Sequence, residues 1–288
     1  MKVAVLGASG LVGSHVRATL DERGHTSLGT TRSAGNTSGL VQLDLADEAR
    51  FEQLLVDFAP DAIVYAAGYT WADGCETDPE RSRRENLEQP SRVAAWCALN
   101  RVQLAYCSSS YVFDGLEGNY AEAHPVNPIN VYGRHKASTE GAILSATGGE
   151  ALILRLICVW GRELAEKNFA YQVRQAAREG RAMRLPSDQS GNPTWAGDIA
   201  AWTVALLEAR ECGHWHLAGP SPDMLRPAWA HEVARGLGVT ALEIVALPTA
   251  ELGQKAPRPL RAGMRTDKIQ RFAPRVVRAP SELGALLA

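Results

Sequence analysis

The sequence predicts an α/β fold built on a doubly wound parallel sheet, with a smaller lobe at its C-terminal end. Two observations carry this. Over the first 160 residues, short β-branched apolar runs alternate with stretches of helical periodicity. A glycine turn, Gly7-Ala8-Ser9-Gly10-Leu11-Val12-Gly13, also stands at the first junction between strand and helix.

The elements follow in order. Residues 3–6 form a short buried strand and residues 11–23 the helix after the turn. Residues 26–30 make a second strand and 40–43 a shorter third. Glu48–Phe58 is amphipathic at helical spacing, and 62–66 is a continuous apolar strand. Residues 79–100 read as one long helix, 103–107 as a strand, 130–145 as a helix and 151–159 as a further strand. Strands separated by helices imply βαβ units, hence a parallel sheet covered on both faces. After about residue 160 the pattern loosens. Phe169–Glu179, 198–209 and 229–237 are helical, and Pro220, Pro222, Pro248, Pro257 and Pro259 punctuate loops. The expected division is a dinucleotide-binding domain over 1–160, carrying the catalytic residues, and a mainly substrate-binding lobe over 161–288. Some segments of that lobe return to the sheet.

Bulk properties exclude several classes. The chain has 288 residues, enough for one large core or two small ones. Its formal net charge of −2 offers no electrostatic case for nucleic acid or an anionic membrane. Its apolar runs are far shorter than a membrane span. The N-terminus reaches Gly7 too soon for a signal peptide. The 5 cysteines are scattered and show no Cys-x-x-Cys pairing, which favours reduced thiols and a cytoplasmic location.

The glycine turn has a specific physical requirement. Gly7 allows the tight turn, Gly10 lets backbone N–H groups approach a pyrophosphate, and Gly13 lets the helix pack closely on the sheet. The helix N-terminus adds partial positive charge. This makes the sheet Rossmann-type, with Gly7, Ser9, Gly10, Leu11, Val12 and Gly13 as the candidate cofactor contacts. The end of the second strand, Gly29-Thr30-Thr31-Arg32-Ser33, holds no acid for a ribose 2′-hydroxyl but does hold Arg32. The expected cofactor is therefore NADP(H) rather than NAD(H). Asp44-Leu45 could edge the adenine pocket, and Ala66-Ala67-Gly68 could let the cofactor lie against bare backbone.

Tyr132-Gly133-Arg134-His135-Lys136 places a phenol and an amine at i and i+4, on one face of a helix. An enzyme that reduces a carbonyl needs an acid for the oxygen. A tyrosine can serve if a nearby ammonium lowers its pKa from about 10. Tyr132 and Lys136 are also candidate cofactor contacts, and Lys136 can hydrogen-bond a nicotinamide ribose. Ser108-Ser109-Ser110 ends the strand at 103–107, where a hydroxyl can hold a substrate carbonyl. His214 and His216 alternate on a strand and share a face, but no third ligand accompanies them, so no metal is expected. His135 is expected to face away from the pair, and Trp71, Trp160 and Trp195 to be core.

With these motifs in place, the chain resembles the extended short-chain dehydrogenase/reductases, and within them dTDP-4-dehydrorhamnose reductase and its relatives. The resemblance is spread over nearly the whole chain. It rests on the glycine turn, Ala66-Ala67-Gly68-Tyr69-Thr70, the run from Ser108 through Tyr111-Val112-Phe113-Asp114-Gly115, and Tyr132 to Lys136. Asp188-Gln189-Ser190-Gly191-Asn192-Pro193-Thr194 and Ala256-Pro257-Arg258-Pro259-Leu260 complete it. It implies a catalytic triad of Ser109, Tyr132 and Lys136, and reduction of a 4-keto-6-deoxy sugar carried on dTDP. It also implies substrate contacts at Tyr69, Ser109, Asn168, Gln189, Thr194 and Arg258. Two departures stand out. Ser110 replaces an acid before Tyr-Val-Phe, and Cys158 stands where the family often has a sugar-contacting tryptophan, with Trp160 close by. Two other readings compete. One is a non-catalytic NADP-binding regulatory subunit like that of methionine adenosyltransferase. The other is a nucleotide-sugar epimerase or dehydratase. A homodimer is the default expectation for a soluble enzyme.

Overall fold

Strand β1 (Lys2–Leu6) sends Val3 and Val5 to one face of the sheet and Ala4 and Leu6 to the other; all four are fully buried. Helix α1 (Leu11–Glu22) follows, then β2 (Thr26–Thr31), β3 (Leu40–Gln42), α2 (Glu48–Phe58) and β4 (Ala62–Tyr65). Next come α3 (Ala72–Thr77), α4 (Pro79–Arg83), a single π-turn (Arg84–Glu88) and α5 (Gln89–Asn100). The first part ends with β5 (Gln103–Ser109), α6 (Val131–Ala146) and β6 (Leu152–Leu156). The remaining elements are β7 (Val159–Trp160), α7 (Phe169–Glu179), β8 (Met183–Pro186), β9 (Ser190–Gly191), β10 (Thr194–Trp195) and α8 (Ala196–Glu208). After these come β11 (Gly213–Leu217), β12 (Met224–Leu225), α9 (Arg226–Gly236), β13 (Ile244–Leu247) and α10 (Asp267–Phe272). This is a computed structural model, and it describes residues 1–33, 39–239, 241–275 and 277–282.

Seven strands form one sheet in the order β11-β6-β5-β4-β1-β2-β3, and every pairing in it is parallel. The chain winds outward in both directions from β1 and β4, so the order reverses between them. That switch point opens a crevice at the C-terminal ends of the strands. Apolar side chains pack both faces. Val16 and Leu20 of α1 join Ile199, Trp202 and Leu206 of α8 on one. Phe51 and Leu55 of α2 join Val93 and Cys97 of α5 on the other. A third core, with Trp160, Tyr171, Trp195, Trp229 and Val233, gathers β7, α7, β10 and α9.

The single long helix expected over 79–100 is interrupted. Pro90 has no N–H to donate to the Asn86 carbonyl four residues back, and the backbone widens into the π-turn just before it. Thr139 Oγ1, from α6, donates to that carbonyl at 2.6 Å. The strand expected over 151–159 also breaks, because Cys158 adopts a positive φ of 46° and turns the chain. Trp71, expected in the core, is 64% exposed, whereas Trp160 and Trp195 are buried. No helix among the described residues is long and apolar enough to cross a membrane.

Candidate active site

A cleft of about 620 Å³ opens beside the switch point. Gly10, Leu11 and Val12 line it from the glycine turn, and Ala66, Ala67 and Gly68 from the end of β4. Ser108, Ser109 and Ser110 line it from the end of β5, and Tyr132 and Lys136 from α6. Leu156, Cys158, Glu163, Lys167, Asn168, Gln189, Arg226 and Arg258 close the far side.

The turn itself is built by close approach. Gly7 has φ +87°, and a Cβ there would lie 2.8 Å from Ala67 N. A Cβ on Gly13 would lie 2.3 Å from Gly7 O. A Cβ on Gly10 would meet only Gly7 O, at 3.4 Å, so the protein's own packing does not demand glycine there. Ala8 N donates to Thr30 O at 2.8 Å, which ties the turn to β2. No side chain caps α1, leaving its first-turn amides turned to the cleft. A backbone cradle beside an uncapped helix N-terminus fits the diphosphate of a dinucleotide.

Asn130 sets the start of α6. Its Oδ1 accepts from Gly133 N at 2.7 Å, and its Nδ2 donates to Pro257 O at 2.8 Å, joining the helix to the C-terminal loop. Tyr132 and Lys136 then project one turn apart against β5. Lys136 Nζ donates to Cys107 O at 2.9 Å and lies 5.8 Å from the centre of the Tyr132 ring. Burial pushes the Lys136 ammonium down to about 8. Burial also pushes the Tyr132 phenol upward, opposed chiefly by a hydrogen bond from Ser109. The net direction for the phenol is upward, because loss of solvent around it dominates.

Behind these groups lies an ionic cluster with no counterpart in the motif analysis. Glu140 is one helical turn beyond Lys136 and nearly buried. It accepts from Ser108 Oγ at 2.5 Å and from Arg155 Nη2 at 2.7 Å, and His214 Nε2 lies 3.3 Å away. Burial disfavours the Glu140 anion, but the hydrogen bonds from His214, Arg155 and Ser108 overcome it and hold the carboxyl at about 2. Helical periodicity alone could have found Glu140, since it falls at i+8 from Tyr132.

The other candidates divide. Asn168 lines the cleft, caps α7 through Oδ1 on Ala170 N at 3.2 Å, and donates to Gly161 O at 2.8 Å. Gln189 lines it too, with Nε2 on Thr249 and Gln254. Arg258 lines it, but its guanidinium pairs with Asp73 at 2.7 Å. Thr194 does not reach the cleft. It is fully buried, donates to Asn192 O and accepts from Gly219 N, as an internal strut. Tyr69 stands beside the cleft with Arg81 stacked 4.0 Å over its ring. Asp44 accepts from Ala46 N at 2.9 Å in its own turn, and Leu45 is buried in the core on the α2 face. Ser9 Oγ meets Thr31 Oγ1 at 2.9 Å, and Arg32 bridges to Glu85 at 3.0 Å. His135 turns away to Ser82, at 2.8 Å. His216 is fully buried, neither ring nitrogen has a hydrogen-bond partner among the described residues, and burial, helped by the Arg155 charge, holds it at about 3.

The family described as the RmlD substrate binding domain matches residues 1–280. A probable low-salt glycan biosynthesis reductase, Agl14 of Haloferax volcanii, is 33% identical over 94% of this chain and 91% of its own. The dTDP-4-dehydrorhamnose reductase of Mycobacterium tuberculosis is 30% identical over 89% of this chain and 82% of its own. Among solved structures, the dTDP-4-dehydrorhamnose reductase of Bacillus anthracis in complex with NADP superposes with a TM-score of 0.87. It is 21% identical and covers 98% of this chain and 96% of its own, a likeness of fold.

Proposed function

The chain belongs to the RmlD substrate binding domain family, and we propose that it reduces the 4-keto group of a dTDP-linked 4-keto-6-deoxysugar, with NADPH as the favoured cofactor. Relatives are named dTDP-4-dehydrorhamnose reductase and dTDP-4-keto-6-deoxy-D-glucose reductase, and the class this supports is an NAD(P)-dependent oxidoreductase of nucleotide-sugar ketones. The observation that carries the substrate reading is one cleft lined at once by the glycine turn, by Ser109, Tyr132 and Lys136, and by polar groups of the small lobe.

In this reading Gly10, Leu11 and Val12 present amides to the cofactor's diphosphate, and Ala66, Ala67 and Gly68 leave room along its length. Bound there, the reduced nicotinamide supplies the hydride. Ser109 orients the ketone oxygen by hydrogen bonding. Tyr132, kept protonated by burial, gives its proton to that oxygen as charge develops. Lys136 then stabilises the phenolate through its charge. Arg32 favours the 2′-phosphate of NADPH, and Asn168 and Gln189 contact the nucleotide sugar. Residues 161–288 supply most of the substrate side. The unpaired thiols of all five cysteines accord with a cytoplasmic setting, and a homodimer is the assembly we propose.

Purified protein mixed with NADPH and a set of dTDP-4-keto-6-deoxysugars should oxidise the cofactor with at least one of them. No oxidation across the set overturns the reading.

A further inference from the structure

The expectation of NADPH rests on Arg32 and on the absence of an acid from the end of β2. The folded chain brings an acid there from more than 50 residues away. Glu85, on the π-turn between α4 and α5, places Oε1 3.0 Å from Arg32 Nη1. The same oxygen accepts from Arg81 Nε at 2.8 Å. The Glu85 side chain is 14% exposed and that of Arg32 57%, so the carboxylate is the anchored member of the pair.

In this sheet topology the end of β2 is where a dinucleotide's adenosine ribose lies. A guanidinium there attracts a 2′-phosphate through charge-assisted hydrogen bonds. A carboxylate there does the reverse: it repels a phosphate and accepts a hydrogen bond from a 2′-hydroxyl. Arg32 meets Glu85 through Nη1, so a phosphate held by its other N–H donors would share the guanidinium with that carboxylate, and the incoming charge would sit near an anion that Arg81 only partly neutralises. A ribose with a free hydroxyl brings no such charge.

We infer that Glu85 is a specificity-determining residue for the cofactor. Its carboxylate competes with a 2′-phosphate for Arg32, so the chain separates NADPH from NADH less sharply than Arg32 alone dictates. The inference rests on the reading of the chain as a nicotinamide-dependent reductase.

The test is calorimetric titration of NADPH and of NADH, with no sugar present, into wild type, Glu85→Gln, Glu85→Ala, Arg32→Ala and the double variant Arg32→Ala/Glu85→Gln. Both Glu85 variants should raise the preference for NADPH about tenfold, mainly by tightening NADPH, the order expected on removing a nearby like charge. Arg32→Ala should remove the preference, and adding Glu85→Gln to it should restore little. A ratio unchanged in both Glu85 variants, or NADH tightened as much as NADPH, overturns the inference while leaving the reductase reading intact. A wild-type protein that binds neither cofactor overturns both.

Discussion

Lys136 is 3% exposed, and burial brings its pKa down from the ordinary 10.5 to about 8. Its ammonium is therefore present at neutral pH but lost a few units sooner than in an exposed lysine. If that charge supports proton donation by Tyr132, kcat/KM for reduction falls as pH rises through about 8. The pH–rate profile checks this, with Lys136→Arg, charged throughout, showing no step there. The same depression has a stability consequence of definite sign. Between about 8 and 10.5 the unfolded chain holds a proton the folded chain has released, so this group's contribution to stability rises with pH and is lost as pH falls through about 8. Tyr132→Phe keeps the ring and removes the proton. It should lower kcat by roughly 10²–10⁴ in steady-state assays while leaving cofactor affinity unchanged. Glu140 and Arg155 are both nearly fully buried. Truncating Glu140 to Ala leaves Arg155 uncompensated and should cost about 3–5 kcal/mol in urea unfolding. Glu140→Leu combined with Arg155→Met should recover most of that loss. The carboxyl's pKa of about 2 gives stability that is present above its ordinary value of 4.5 and lost as pH falls through about 2.

At the scale of elements, the turn between β1 and α1 separates two kinds of glycine. Gly13 is demanded by packing, since a Cβ there would collide with Gly7 O. Gly10 has room within the protein and faces the cleft. Gly13→Ala should therefore lower both the melting temperature and cofactor affinity. Gly10→Ala should leave melting within about 0.5 kcal/mol of wild type, as for an unstrained surface change, yet weaken cofactor binding. Equal effects of the two in thermal unfolding would contradict this division. The α5 region shows the opposite relation between motif and structure. The helical pattern over 79–100 was legible, but the π-turn that carries Glu85 and Asn86 depends on Pro90 and on Thr139 from another helix. Asn86 in turn holds the segment after β4, accepting from Tyr69 N at 3.0 Å.

Across the whole molecule, α8 is apolar on nearly all sides because it lies between the sheet and the segment after α10. Trp202 Nε1 donates to Ala273 O at 3.1 Å. Asp198, fully buried, pairs with Arg275 at 3.2 Å and accepts from Arg278 N at 3.0 Å. Ending the chain after residue 272 would strand a buried carboxylate and an indole N–H. The expected loss is at least about 3 kcal/mol, read as a lower midpoint in chemical denaturation. An unchanged midpoint would show that the C-terminal segment covers α8 without supporting it. The C-terminal loop also reaches the site: Asp73 accepts from Ala256 N at 3.0 Å and from Arg258, and Asn130 holds Pro257. The C-terminal loop is thereby fastened to the helix that carries Tyr132.

The sequence by itself determined the alternation of strands and helices, the glycine turn, and the placing of Tyr132 and Lys136 on one helix face. Each is written in local spacing: a two-residue or 3.6-residue period, or a fixed offset on one helix. Tertiary structure alone decided the partners of the charged residues. Arg32 read as the contact for a 2′-phosphate, and packing placed Glu85 beside it. Arg258 read as a substrate contact; it lines the cleft with Asp73 paired to its guanidinium. Thr194 read as a pocket residue and proved to be a buried strut. Lys136 read as the neighbour that sets the Tyr132 pKa, and burial is the largest influence on that phenol. In each case the deciding quantity is the distance between charges or the loss of solvent around them. Neither is encoded in a motif, because both arise only when segments far apart in the chain are packed together.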